Sequence, residues 1–253
     1  MKLQDGYPDA NIVYHGERQR PFAQGVVDAE AIEAIASHIE RHLGPVEQVY
    51  HETISDLVHV DLHWVRPTTS RPFNTLVTSG MSFLPMNAPP GKEAFRFAEL
   101  MITLPADWPM TIEAWRDERI YWPIRLLKDL SRLPHEHATW LWLLHTVGDP
   151  DGEPYHASTR QNTALIAPCL SARRAFGTLD LPPRNKTVHF FAVLPLYPEE
   201  VRLKLSRGGD ALLDRLDQHG IRDVVDPARP SCAEGRNTRP GWQRWLRGLV
   251  GRE

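Results

Sequence analysis

Hydrophobic residues recur along this chain at two spacings, and the switches between them mark its elements. In residues 28–44, Ala31, Ile32, Ile35, Ala36, Ile39 and Leu43 fall at helical intervals on one face. Asp28 offers a carboxylate to cap that helix, and Gly44 and Pro45 close it. One apolar stripe needs a flat apolar surface, so the pattern predicts a helix lying on a sheet. Alternation with period two follows. Residues 46–51 read as a strand. In 59–65, Val60, Leu62 and Trp64 face one way, while His59, Asp61 and His63 face the other. A turn at 66–72 leads to a strand at 73–81, a proline-rich loop at 83–91, and a strong strand at 95–104 that Pro105 ends.

Helical spacing returns with Ile124, Leu127, Leu130 and Leu133. Pro123 is expected at the helix start, where its missing donor costs nothing, and Pro134 is expected to end it. The run TWLWLLHTV at 139–147 has the length of a buried strand, although periodicity equally admits a helix. Strands are expected at 163–170 and 187–194, then helices at 199–205 and 210–219, with Gly220 as a stop. This order lacks the regular strand–helix alternation of a doubly wound sheet. It predicts an α+β fold: a curved, mixed, largely antiparallel sheet flanked by helices. Residues 1–44 read as an N-terminal extension and helix, 45–226 as the domain, and 227–253 as a basic linker with a short amphipathic tail.

Charge alters the picture only locally. The formal net charge is −3, too balanced to recruit nucleic acid as a whole. Six arginines and two glutamates in 227–253 give +4 there, which leaves −7 on residues 1–226. The tail segment GWQRWLRGLVG gathers Trp242, Trp245, Leu246, Leu249 and Val250 beside Arg244 and Arg247. Such a stripe suits docking on an acidic surface, its own domain included, or adsorption to a membrane as an adaptor. Two cysteines, Cys169 and Cys232, make no disulfide framework and fit a reducing compartment. No segment has signal-peptide or membrane-spanning character, so a cytoplasmic location is the expectation.

Several polar residues invite chemistry. His59, Asp61 and His63 share a strand face and offer imidazole and carboxylate ligands suited to zinc or iron. A strand rises about 3.3 Å per residue, which sets the outer two roughly 13 Å apart, too far for one ion. The same face read structurally is polar and half exposed. His135 and His137 flank Glu136 without the HExxH spacing of a zinc protease, and they read as a solvated loop. Glu99 interrupts FRFAELMITL and reads either as a buried structural ion pair, with an Arg such as Arg125, or as a polar group in a cleft. Neither GxSxG nor a glycine-rich nucleotide loop is present. Cys169, inside ALIAPCL, reads as a small buried hydrophobe.

Longer blocks carry a family likeness. They are HVDLHWVRPTTSRPFNTLVTSGMSFLPM at 59–86, RFAELMITLPADWP at 96–109, YWPIRLLKDLSRLPHEHATWLWLLHTV at 121–147, FFAVLPLYPEEVRLKL at 190–205 and DALLDRL at 210–216. In these the chain resembles the suppressor of fused (SUFU) domain family, in its bacterial form. The resemblance implies a curved α/β sheet flanked by helices and a protein-binding role without catalysis, cofactor or metal. The animal relative restrains a zinc-finger transcription factor in Hedgehog signalling by clamping an extended peptide, as in strand addition. Bacterial members have been linked to toxin immunity. This chain lacks the animal insert, so Hedgehog signalling is not carried over. Expected partner-contact positions are His59, Asp61, His63 and Glu99, and the expected partner is a toxin or an extended segment of another protein. The rival expectation is a metal-dependent enzyme built on His59, Asp61 and His63.

Overall fold

The computed structural model describes residues 25–52, 57–149, 151–182 and 185–233. Residues 1–24 of the expected N-terminal extension, and the expected amphipathic tail, lie outside them. Helix α1 (Ala29–His42) starts where expected, with the Asp28 carboxylate accepting from the Ala31 amide at 3.1 Å. Strands β1 (Val46–Tyr50), β2 (Asp61–Val65), β3 (Phe73–Ser79) and β4 (Ala98–Pro105) follow as antiparallel neighbours.

Helix α2 (Glu118–Glu136) departs from the sequence expectation. It begins five residues before Pro123, behind an Asp117 cap, and continues past Pro134. Both prolines are buried inside it. They stand eleven residues apart, about three turns, and so share a face. Burial of that face against the sheet outweighs the backbone bonds the two rings remove. His135 is therefore helical, not part of a solvated loop. The apolar run at 139–147 is neither one strand nor one helix. Only β5 (Thr146–Gly148) forms from it, after a turn in which Leu144 takes a φ of +67°.

The remainder comprises β6 (Thr163–Ala167), β7 (Thr178–Leu181), β8 (Lys186–Leu196), α3 (Pro198–Arg207) and α4 (Gly209–Gln218). The sheet order is β1-β2-β3-β4-β8-β6-β5, with β7 also paired to β8. Among the described strands of the sheet, only the β4–β8 pairing is parallel. The fold is thus α+β, with a mixed and mainly antiparallel eight-stranded sheet. Strand β8 is eleven residues long and organises the sheet: its first half pairs with β4 and β7, its second with β6. Both of its faces are covered, which is why its sequence is almost continuously apolar.

Two cores follow from the alternation. Leu62, Leu76, Leu100, Ile102 and Val193 pack under Trp122, Leu127 and Leu130 of α2. On the other face, Val65, Val77, Met101 and Phe190 meet Ile35 and Ile39 of α1, Leu203 of α3 and Leu213 of α4. Cys169 and Cys232 are both buried in this second core. The chain past residue 226 does not read as a linker at first. Arg229 is buried, and its guanidinium grips Glu200 of α3 at 2.6 and 2.7 Å. No helix among the described residues is long and apolar enough to cross a membrane.

Candidate functional site

The residues singled out in the sequence gather at one end of the sheet, where β2 starts, β3 ends and β4 starts. Asp61 opens β2 and is nine-tenths buried or more, at 3% exposure. Pairing of Tyr50 with Leu62 continues to place His51 opposite Asp61. The His51 Nδ1 and Asp61 Oδ2 atoms lie 3.0 Å apart, and His59 Nε2 lies 2.9 Å from Asp61 Oδ1. Two imidazoles thus bracket one carboxylate. The Glu52 amide adds a longer contact to Oδ1 at 3.4 Å, while Arg132 of α2 pairs with the Glu52 carboxylate.

His63 does not join this group. It is 1% exposed, and its Nε2 sits 2.8 Å from Ser79 Oγ on the neighbouring strand. Its Nδ1 is buried without a hydrogen-bond partner. Burial drives its pKa down to about 4, against the weaker upward pull of Asp61, so the ring is neutral near pH 7. The face expected to be half exposed is in fact closed at Asp61 and His63.

Glu99 is fully buried, but Arg125 is not its partner. Arg125 bonds Glu118, with 2.6 Å from Nε to Oε1. Glu99 instead accepts from Thr78 Oγ1 at 2.6 Å, from the Gly80 amide at 3.0 Å and from the Ser82 amide at 2.9 Å. The Leu100 amide donates to Thr78 Oγ1. Beyond the Val77–Met101 pair the β3–β4 ladder ends, and the Glu99 and Thr78 side chains take over its hydrogen bonds. Desolvation pushes the Glu99 pKa up despite those donors. Gly80 makes the bend possible: its φ is +132°, and a Cβ there would stand 2.0 Å from the His59 carbonyl oxygen.

His135 Nε2 meets the Met81 carbonyl at 2.8 Å, which ties α2 to this bend. His59, Asp61, His63, His135 and His137 therefore do not converge on one reacting centre. The sequence missed His51, because only the β1–β2 register brings it to Asp61.

Two open furrows lie toward opposite ends of the sheet, and only the second borders this cluster. One, of about 590 Å³, runs along β1 and is walled by Tyr50, Trp64, Arg66, Trp108, Met110 and Ile112. Its aromatics are fixed by polar bonds: Tyr50 Oη donates to the Met110 carbonyl, and Trp64 Nε1 to Asn74 Oδ1. Ile112 is 59% exposed, rare for a large aliphatic side chain here. Arg66 pairs with Glu47 across the strand at 2.9 Å. The second furrow, of about 550 Å³, lies between Leu84–Ala88 (84–88) and α2, with Arg96 and His135 at its wall.

The described residues thus form an open α+β sheet with an aromatic-walled furrow along β1. Comparison places it. The family model described as Suppressor of fused protein (SUFU) matches residues 56–230, more than half of the chain. The chain belongs to the SUFU family. Among solved structures it is similar to a SUFU homolog from Neisseria gonorrhoeae, with a TM-score of 0.59 and 18% identity over 83% of this chain and 100% of that one. It is also similar to a chain of the Sufu–Fu complex, with a TM-score of 0.55 and 16% identity over 80% and 92%. Drosophila Suppressor of Fused matches at a TM-score of 0.53 and 15% identity, over 82% of this chain and 54% of that one. No curated protein matches this chain by sequence.

Proposed function

We propose that this chain is a non-catalytic protein-binding domain that takes up an extended segment of a partner protein in the furrow beside β1. The observation that carries the proposal is the juxtaposition of an aromatic-walled open furrow with a sheet border. Strand β1 has β2 on one side and no strand beyond it among the described residues. A border strand offers backbone bonds to an incoming chain, while Tyr50, Trp64 and Trp108 offer the rigid apolar anchors that dominate binding energy at interfaces. The −7 charge on residues 1–226 favours a partner with basic side chains and speeds its approach. The family supports the same role, since one similar structure is a complex of Sufu with Fu. In its sharpest form the partner is a toxin that the domain neutralises by covering it, in the cytoplasm; a toxin gene beside this one would support that version.

His59, partly buried beside Asp61, lies outside the furrow. Asp61, His63 and Glu99 act from inside, by holding the strands that shape the border.

The test is capture of the partner from source cells with the full chain and with an Ile112→Asp variant. Ile112 is exposed, so the fold tolerates the change. The expected result is one stoichiometric protein, lost at least tenfold with the variant. Equal recovery with the variant would move the contact away from this furrow. A chain that recovers no protein but turns over a small molecule would overturn the reading altogether.

A further inference from the structure

We infer that His51, His59 and Asp61 form a binding site for one divalent transition-metal ion of the zinc class. The three residues come from two strand ends rather than one strand, which removes the distance problem of a single-strand site. His51 stands across from Asp61 in the β1–β2 register, and His59 precedes Asp61 by two residues, on the same side. Their donor atoms lie within 4.8 Å of one another.

Metal–nitrogen and metal–oxygen bonds of roughly 2.0–2.2 Å in tetrahedral geometry set donors about 3.4 Å apart. Both imidazole-to-carboxylate distances, 3.0 and 2.9 Å, are already inside that span. Only the two rings must draw closer. His51 can do so freely, because its side chain is 70% exposed at the end of β1. Asp61 cannot drift, because its carboxylate is 4% exposed and held by the Glu52 amide. One anchored carboxylate and one exposed imidazole suit capture of an ion from solvent. Water fills the position that the exposed side leaves open.

The donor set selects the ion. Two imidazole nitrogens and one carboxylate suit zinc, cobalt or nickel. Calcium and magnesium prefer oxygen donors, and two of the three side chains here offer imidazole nitrogen. The bound ion would fasten the end of β1 to the start of β2, independently of any occupant of the furrow. Nothing in the arrangement asks it to perform a reaction.

The test uses tag-free full chain, stripped with chelator and titrated with Co2+ and then Zn2+. The expected result is one equivalent of Co2+ with visible d–d bands of a nitrogen–oxygen site, displaced by Zn2+. His51→Ala should weaken binding about tenfold or more while leaving the melting curve of the metal-free protein unchanged. His59→Ala and Asp61→Asn should do the same where they fold. His156→Ala, exposed and outside the group, should bind as the parent does. Absence of saturable Co2+ and Zn2+ binding, or equal affinity in His51→Ala, would overturn the site. So would calcium binding at these residues with affinity equal to zinc.

Discussion

At the scale of the residue, Glu99 shows how a polar group survives inside an apolar strand. Its carboxylate replaces ladder bonds at a bend, so its removal strands three buried donors from Thr78, Gly80 and Ser82. Glu99→Ala should therefore cost about 3 kcal/mol or more in urea unfolding, at 1–3 kcal/mol for each group left unsatisfied. Glu99→Gln should cost much less, because the amide oxygen can still accept from both backbone donors and the amide nitrogen can turn to Thr78. His38 is the corresponding case on α1. Its ring stacks on Phe176 and Phe190 at 5.3 and 5.0 Å, with Nε2 3.0 Å from the Phe176 carbonyl. Burial lowers its pKa, and His42 and Arg41 add to that, against the Phe176 carbonyl. The unfolded chain then takes up a proton below pH of about 6.5 while the folded ring resists it. This contribution to stability is whole above that pH and is lost as the pH falls toward the lowered folded value. Urea midpoints at pH 7.5 and pH 5 should differ less in His38→Gln than in the parent chain. Neither role could be read from sequence, where Glu99 pointed to Arg125 and His38 drew no notice. The partners are supplied by other strands and by the turn at Arg174–Gly177.

At the scale of the element, periodicity served where one face was buried and failed where tertiary contacts overrode local preference. The stripe of α1 and the alternation of β2 were legible because each sorts apolar from polar side chains onto two sides, although both sides of β2 are closed. Helix α2 was legible in its middle but not at its ends. The prolines that read as punctuation are interior residues on its buried face. The signal that would have found its start is Asp117, whose side chain accepts from the Arg119 amide at 2.9 Å. Asp117→Ala should lower the unfolding midpoint, as loss of a helix cap does, read from thermal or chemical unfolding. The TWLWLLHTV run was misread for the opposite reason. Its aromatics fill a core from a turn, with Trp142 edge-on to Phe191 at 4.9 Å, so they need no regular backbone at all.

At the scale of the whole molecule, a clasp ties the residues that follow 226 back onto α3. Arg229 reaches back to Glu200 of α3 and to the Pro195 carbonyl at 2.9 Å, and the Cys232 amide donates to Glu200. Tyr197 Oη also donates to the Arg229 carbonyl. Arg229→Ala leaves a buried carboxylate without its cation and should cost about 3–5 kcal/mol in guanidinium unfolding. A chain ended at residue 226 should lose at least as much; equal stability of that truncation would refute the clasp. This segment looked like linker because arginine, proline and glycine dominate it. Whether an arginine is solvated or buried depends on an acid contributed from elsewhere, here some thirty residues earlier.

The sequence by itself determined the class of fold, the family, and the principal apolar faces of α1, β2, β4 and β8. Those follow from period and from order along the chain, which are local quantities. Only the tertiary structure decided that His51 joins His59 and Asp61, that Glu99 is satisfied by neutral donors, and that aromatic residues from β1, β2 and the segment at 106–113 make one furrow. Each of these depends on strand register and on the path of connecting segments. A shift of one residue in register would turn the same side chains to the opposite face, and no local pattern fixes which partner strand stands across.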